Sequence, residues 1–308
     1  MTRSILILIA AAALMPAAQN ILVLTTDGQW IESSTPVSKV GSLVLSKVLS
    51  MHNGAPATPK ETESIAAGLV AIQGKERKPR DLAVESLTNI GLPVLTPLLE
   101  KIRDTDQHEP KPLYNLFARI MPSLADQLDR SASLIRMEGA APSRGAWPQG
   151  EIKVGDKSIP WANIRMIAVQ RKSISRMMEV HSLRHSTQIE YLDTGLYASP
   201  GSEWTIDAKG FTRLSWHQDD WATNPNGLTK PGGNYKTNLV DGHPFGALVG
   251  RIGADGEVRF IGGSSKKAAG ASGRLHLAIN DNAHWQNNLG HYTVTVILNN
   301  AYDLGPAI

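Results

Sequence analysis

Apolar side chains recur at two different periods along the chain, and the change of period separates a helical part from a β-rich part. Between residues 34 and 137 they recur at helical spacing, as at Ile65, Leu69 and Ile72, which predicts a series of short helices. From residue 187 to 298, apolar and polar residues alternate between corners rich in Gly, Pro, Asn and Asp. That alternation is typical of an antiparallel β-sandwich.

The helical part begins with a predicted helix that carries Val40, Leu43, Val44 and Val48 on one face. A second helix is expected to start at Thr58-Pro59, and a third to be capped by Asp81. The pair of helices over residues 81–104 resembles one unit of a HEAT-like repeat. A small irregular helical bundle is the alternative, because no self-similar period follows.

The segments between and after these parts complete the predicted organisation. Residues 138–150 are small, polar and rich in Pro and Gly, which predicts a linker. Residues 151–186 predict a short β-rich segment, and residues 299–308 a tail. The expected fold class is therefore multidomain α+β: an all-α, HEAT-like region over 34–137 followed by an antiparallel β-sandwich over 187–298.

The first 18 residues have the pattern of an export signal. Arg3 precedes an apolar run over residues 5–14, and Pro16-Ala17-Ala18 provides a small-residue exit. Because Pro16 occupies a position that usually holds a small non-proline residue, an uncleaved anchor is one alternative, and a buried first strand is another. After this segment no stretch approaches the roughly 18 apolar residues of a spanning helix. The expected location is the bacterial periplasm or the medium.

Composition and charge exclude several classes of function. The 308 residues include no cysteine, which excludes disulfides, a lipid-modified cysteine and a thiol nucleophile. The net charge is +3, and its one local cluster, Lys75, Arg77, Lys78 and Arg80, lacks interleaved aromatic residues. We therefore interpret that cluster as a solvated linker and expect no nucleic-acid groove.

The sequence lacks a serine-nucleophile elbow and a catalytic carboxylate pair, and we expect no enzyme. Ser264 and Ser265 lack the Gly-x-Ser-x-Gly elbow, and adjacent Asp219 and Asp220 would point to opposite faces of a strand. His181 and His185 lie four apart in an alternating segment, and such residues on a strand are about 13 Å from each other. The two histidines are accordingly interpreted as structural or surface residues rather than as metal ligands.

A polar loop near the end of the chain carries the oxygen donors that Ca²⁺ prefers. It lies between two strand-like runs, and Asp281 supplies a carboxylate, while Asn282, Asn287 and Asn288 supply amide carbonyls. The alternative is an ordinary turn, because Asn, Asp and Gly are also the commonest turn residues.

Three segments around this loop occur together in the order known from one family. The first is the turn and strand over residues 200–210, the second is Gly-Ala-Leu-Val-Gly-Arg-Ile-Gly over 246–253, and the third is the loop with Asn280-Asp281, Asn287-Asn288 and Gly290. Together they resemble the bacterial galactophilic lectins of the PA-I type, small β-sandwiches that bind galactose through a calcium ion. The resemblance covers roughly residues 188–297.

The resemblance implies a binding site, residue by residue. The expected Ca²⁺ ligands are the side chains of Asp281, Asn287 and Asn288 and the backbone carbonyls of His284 and Trp216. The residues expected to contact the sugar are Asp281, Asn282, Trp285 and Asn287. The loop is one residue shorter than the family's, and His284 or Trp285 replaces its threonine ligand. The histidine and glutamine that grip galactose have no clear counterpart, so the identity of the sugar stays open.

These observations predict a non-enzymatic, calcium-dependent carbohydrate-binding protein of the bacterial envelope, with a galactose-like glycan as its partner. The alternative is a structural or interaction protein, in which the helical half docks a protein partner and the lectin-like sandwich binds no sugar. Fold alone does not distinguish the two.

Overall fold

A computed structural model of the protein describes residues 20–33, 39–40, 43–44, 48–103, 111–120, 133–140, 143–145, 147–215, 221–228, 240, 242–281 and 285–305. The helices in these ranges are α1 (Pro59–Ala71), α2 (Arg77–Ile90), α3 (Leu95–Arg103) and α4 (Lys111–Ile120). The strands are β1 (Ile21–Thr25), β2 (Trp30–Glu32), β3 (Lys39–Val40), β4 (Leu43–Val44), β5 (Val48–His52), β6 (Ser133–Met137), β7 (Ser143–Gly145), β8 (Glu151–Val154), β9 (Lys157–Pro160), β10 (Ile164–His181), β11 (Leu192–Ala198), β12 (Glu203–Arg213), β13 (Ala222–Thr223), β14 (Leu248–Ile252), β15 (Arg259–Phe260), β16 (Ser264–Ala268), β17 (Gly273–Ile279) and β18 (Leu289–Asp303).

The C-terminal half of the chain forms a β-sandwich of two antiparallel layers. One layer has the strand order β16-β12-β18-β10, and the other has β15-β14-β17-β11. Inward side chains from both layers form one apolar core, in which Trp204, Leu277 and Tyr292 are at most 1% exposed. β11 also pairs with the end of β18, so the layers join at one edge. Alternating side chains thus fill the space between two sheets, as the sequence pattern requires.

The 18-residue strand β10 connects the sandwich to a second sheet region. Its residues 164–169 pair with β1 and β5, while its residues from Gln170 onward pair with β18. The second region has its own core, which includes Ile21, Met51 and Trp161. A smaller apolar cluster containing Tyr302 packs this region against the sandwich. One long strand therefore makes the two regions a single 14-stranded sheet.

The fold class predicted for the N-terminal part is wrong. Among the described residues the α-helices fall only within residues 59–120, and the strands on either side of them, β5 and β6, pair with each other. The helices are therefore an excursion between two neighbouring strands, and there is no extended HEAT-like, all-α region over residues 34–137. Taken together, the described chain is mainly β-structure.

Local signals explain where the prediction succeeded and where it failed. α1 begins as expected, because Thr58 and Glu61 form a capping box and Pro59 occupies the first turn. Val48 belongs to strand β5 instead of a helix, because that strand is paired with both β10 and β6. Asp81 does not cap α2, which begins one turn earlier at Arg77.

Helix α2 docks on the outer face of the β15-β14-β17-β11 layer. Asp81 in α2 and Arg251 in β14 form a buried ion pair of 2.8 Å, and the Arg251 guanidinium lies 3.9 Å from the ring centroid of Tyr191. Arg274 in β17 bonds Asn89 of α2 at 3.1 Å and pairs with Asp193. The helical excursion thus docks on the sandwich of the same molecule.

The basic cluster predicted to be a solvated linker belongs partly to this interface. Arg77 and Arg80 lie in α2 and donate hydrogen bonds to the backbone carbonyls of Thr187 and Ile189, the latter at 2.7 Å.

Within the described ranges no single helix is long and apolar enough to cross a membrane; only the pair Arg77–Ile90 and Leu92–Ile102, bent by 111°, reaches that length and composition together.

Candidate functional site

The predicted ligand loop connects β17 to β18 at one end of the sandwich. Its first residue, Asn280, is held in place by hydrogen bonds. The fully buried Asn280 amide donates to the carbonyls of His243 and Pro244 at 3.1 and 3.2 Å, and its Oδ1 accepts from the Val240 N–H at 3.0 Å. Gly246 N–H donates to the Asn280 carbonyl at 2.7 Å. The second segment of the family resemblance begins at Gly246, and this hydrogen bond therefore attaches that segment to the first residue of the loop.

Gly246 is required by its backbone and by its surroundings. Its φ is +79°, and a Cβ there would lie 2.6 Å from Thr223 Cγ2 and 2.7 Å from Leu214 Cδ1. A larger residue would be strained and overpacked, so the glycine permits this close approach.

Thr187 supports the loop from the helix side. The Asp281 N–H donates to Thr187 Oγ1 at 3.1 Å, and that hydroxyl lies 3.2 Å from the Asp281 carbonyl. Because Arg77 of α2 donates to the Thr187 carbonyl, the helical excursion contacts the residue that supports the loop.

Asp281 and Asn288 meet in the interior although they stand at opposite ends of the loop. Each is 1% exposed, and Asn288 Nδ2 donates to Asp281 Oδ2 and, at 3.3 Å, to the Ser182 carbonyl. These two acceptors fix the orientation of the amide, so its Oδ1 points the other way. Asn288 Oδ1 is buried and has no hydrogen-bond partner among the described residues. An unpaired amide oxygen beside a buried carboxylate fits a cation of oxygen-ligand type.

The charge of Asp281 extends into the core beside the loop. Burial raises the pKa of Tyr292 well above its usual value, and the negative charge of Asp281 raises it further. The Tyr292 hydroxyl lies 2.7 Å from the Gly246 carbonyl and 3.0 Å from the Asn224 carbonyl. Because the site is poorly solvated, a cation there would interact strongly with the carboxylate.

The other predicted site residues are only partly covered by the structure. Asn287 is half-buried in the turn Trp285–Asn287, next to Asn288. Only the backbone of Trp285 is described, and Asn282, His284 and Trp216 lie outside the described residues. Strand register places Arg213, three residues before Trp216, opposite Leu289 at the start of β18.

Two contacts of the site had no signal in the sequence. Thr187 and Ser182 lie about a hundred residues before Asp281 and Asn288, and a single hydroxyl or carbonyl leaves no periodic pattern.

The prediction that His181 and His185 stand far apart is wrong: the strand ends at His181, the chain turns, and the ring centroids are 6.0 Å apart. His185 Nδ1 accepts from the His181 N–H at 3.1 Å.

Comparison with solved structures finds similarity to a lectin domain. No family model and no curated protein matches the chain. Among solved structures, the chain is similar to one described as "EclA N-terminal domain; PllA-like lectin", with 24% identity over 41% of this chain and 98% of that chain. The TM-score is 0.32.

Proposed function

We propose that this protein is a calcium-dependent carbohydrate-binding protein that acts through the loop between β17 and β18. The observation that carries the proposal is the buried Asn288 Oδ1, which lacks a hydrogen-bond partner beside the buried Asp281 carboxylate. An unsatisfied buried polar group costs about 1–3 kcal/mol. A cation bound by both side chains offsets this cost, whereas an ordinary turn gives no reason to bury the pair.

The proposed ligand set combines these two side chains with groups implied by the family resemblance. Asp281 and Asn288 supply a carboxylate and an amide oxygen, and Asn287 is the third side-chain ligand. His284 and Trp216 supply backbone carbonyls. Ca²⁺ accepts six to eight oxygens, so a protein shell of this size leaves positions for two hydroxyls of a sugar. Asn282 and Trp285 are proposed to contact that sugar, a galactose-like glycan.

An envelope location is part of the proposal. It is supported by the Arg3, apolar and small-residue pattern of residues 1–18, which lie outside the described residues. Fractionation of cells that express the full chain tests it, because a protein found only in the cytoplasm would contradict export.

Calorimetry with Ca²⁺ tests the metal and the sugar together. We expect Asp281→Asn to weaken Ca²⁺ binding by at least about 100-fold, because it removes the ligand charge at nearly constant shape. The matched control is Asp207→Asn, an exposed carboxylate of the same sandwich that accepts from Ser264 Oγ at 2.8 Å. Galactose should raise the Ca²⁺ affinity of the wild type, because a ligand that completes the metal shell is coupled to the metal.

The possible results separate the two functions considered from the sequence. Wild-type protein that binds no Ca²⁺, or an Asp281→Asn variant that binds it as the wild type does, contradicts the proposed site. If the protein binds Ca²⁺ but binds none of the glycans on an array, the carbohydrate function is contradicted. The result would then favour an interaction protein with a structural calcium.

A further inference from the structure

Two histidines and a glutamate, side chains of the types that can ligate a metal, lie together on the open face of the sandwich. Glu179 and His181 are two residues apart on β10 and therefore point to the same side, and His291 on β18 is directly opposite His181. Their ligand atoms all lie within 4.8 Å of one another. His181 Nε2 is 3.0 Å from one Glu179 oxygen, and His291 Nε2 is 3.7 Å from the other.

These separations match the requirements of a small tetrahedral ion. Zinc bonds of about 2.0–2.2 Å place two ligand atoms about 3.3–3.6 Å apart. The two distances from the Glu179 carboxylate, 3.0 and 3.7 Å, bracket that range, and the ligand atoms of His181 and His291 lie within 4.8 Å of each other. The side chains are 36–54% exposed, which gives an ion access from solvent and leaves a fourth position open.

The backbone holds the two histidines in place. Immediately after His181, the N–H and Oγ of Ser182 both donate to the carbonyl of Gly290, at 3.2 and 2.9 Å. Gly290 immediately precedes His291, so these two hydrogen bonds join β10 to β18 next to both histidines. His185 adds a further restraint, because its Nδ1 accepts from the His181 N–H. Ligands on a rigid ladder lose little entropy on binding a metal.

We propose that Glu179, His181 and His291 form a binding site for a divalent transition-metal ion of the Zn²⁺ class. Two imidazoles and one carboxylate, with an open position, are a common zinc donor set. Imidazole nitrogen favours such ions over Ca²⁺, which prefers oxygen. An exposed ion pair alone contributes little to stability. The site is separate from the Asp281 loop in donor chemistry, and it does not depend on the function proposed above.

Zinc titration of the full, tag-free chain after EDTA treatment tests the site. The chain has nine histidines, so the assignment requires variants. We expect one Zn²⁺ per chain, and a loss of affinity of at least tenfold in His181→Gln, in His291→Gln and in Glu179→Gln. The control is His243→Gln, a part-buried histidine that bonds the Val258 carbonyl and stands outside the group. Excess Ca²⁺ should leave Zn²⁺ binding unchanged.

Co²⁺ supplies a second measurement that reports ligand geometry. The wild type should show the strong visible absorption of tetrahedral Co²⁺, and the His181→Gln/His291→Gln double variant should not, while its far-UV circular dichroism stays that of the wild type. Unchanged Zn²⁺ affinity in that folded double variant would overturn the proposal, since other histidines would then bind the ion. Failure of the wild type to bind Zn²⁺ at millimolar concentration would also overturn it.

Discussion

The two layers of the sandwich share one alternation of side chains but present different outer faces. In the β15-β14-β17-β11 layer, outward Arg251, Arg274 and His276 are only 4–6% exposed, because the helical excursion covers them. In the β16-β12-β18-β10 layer, outward Met177 and Phe211 are 74% and 53% exposed. The same period therefore produces a covered polar interface on one side and an open surface on the other.

The difference shows that alternation determines which residues face the sandwich core but not what covers the opposite face. On the covered side, charged groups are removed from water and must be paired. Removing one partner of such a pair therefore lowers the free energy of unfolding strongly. On the open side, polar groups are solvated, and their arrangement has little effect on stability. A cluster such as Glu179, His181 and His291 is therefore better explained by ligand binding than by folding.

The largest expected effect belongs to the covered face. Asp81→Ala should lower the free energy of unfolding by about 3–5 kcal/mol, because it leaves the buried Arg251 guanidinium without its carboxylate. Urea unfolding followed by circular dichroism measures the change. Asp207→Ala on the open face is the control and should stay within about 0.5 kcal/mol of the wild type. Equal effects of the two substitutions would remove the distinction between the faces.

A smaller effect is expected from His52, which lies in β5 between the two sheet regions. Burial, with the positive charges of Arg136 and Arg274, lowers the pKa of His52 to about 3. The folded protein thus keeps this histidine neutral between pH 3 and about 6.5, while the unfolded chain takes up a proton. The free energy of unfolding should fall as the pH drops through that window, by at most about 1.4 kcal/mol per pH unit.

The variant His52→Gln should lack this part of the pH dependence. Urea unfolding of both proteins at several pH values between 4 and 7.5 measures it. The stability difference between them should change with pH; parallel curves for the wild type and the variant would contradict a His52 that stays neutral in the folded protein.

The smallest effect is expected on the open face. In EDTA, the His181→Gln/His291→Gln double variant should unfold within about 0.5 kcal/mol of the wild type, because partly exposed side chains are exchanged. Thermal unfolding in EDTA and in Zn²⁺ measures both states. Zinc should stabilise the wild type alone; a large loss of stability without metal would mean that His181 and His291 have a structural role instead.

Local sequence patterns predicted the alternating strands of the sandwich and the start of α1, but they predicted a helix at Val48 that the structure does not contain. Thr58 and Pro59 correctly predicted the start of α1, because capping depends on residues close in sequence. Val48 was assigned to a helix from its spacing, yet it lies in a strand paired on both sides. Pairing with distant strands overrode a local period there.

For the candidate sites, the sequence by itself determined the chemistry of the donors. It placed a carboxylate and amides in one loop, and it placed His181 in an alternating, strand-like segment. Only the tertiary structure decided that Asn288 contacts both Asp281 and the Ser182 carbonyl, and that His291 stands opposite His181. The physical reason is that register between strands is set by burying the sandwich core as a whole, which brings together residues more than a hundred positions apart.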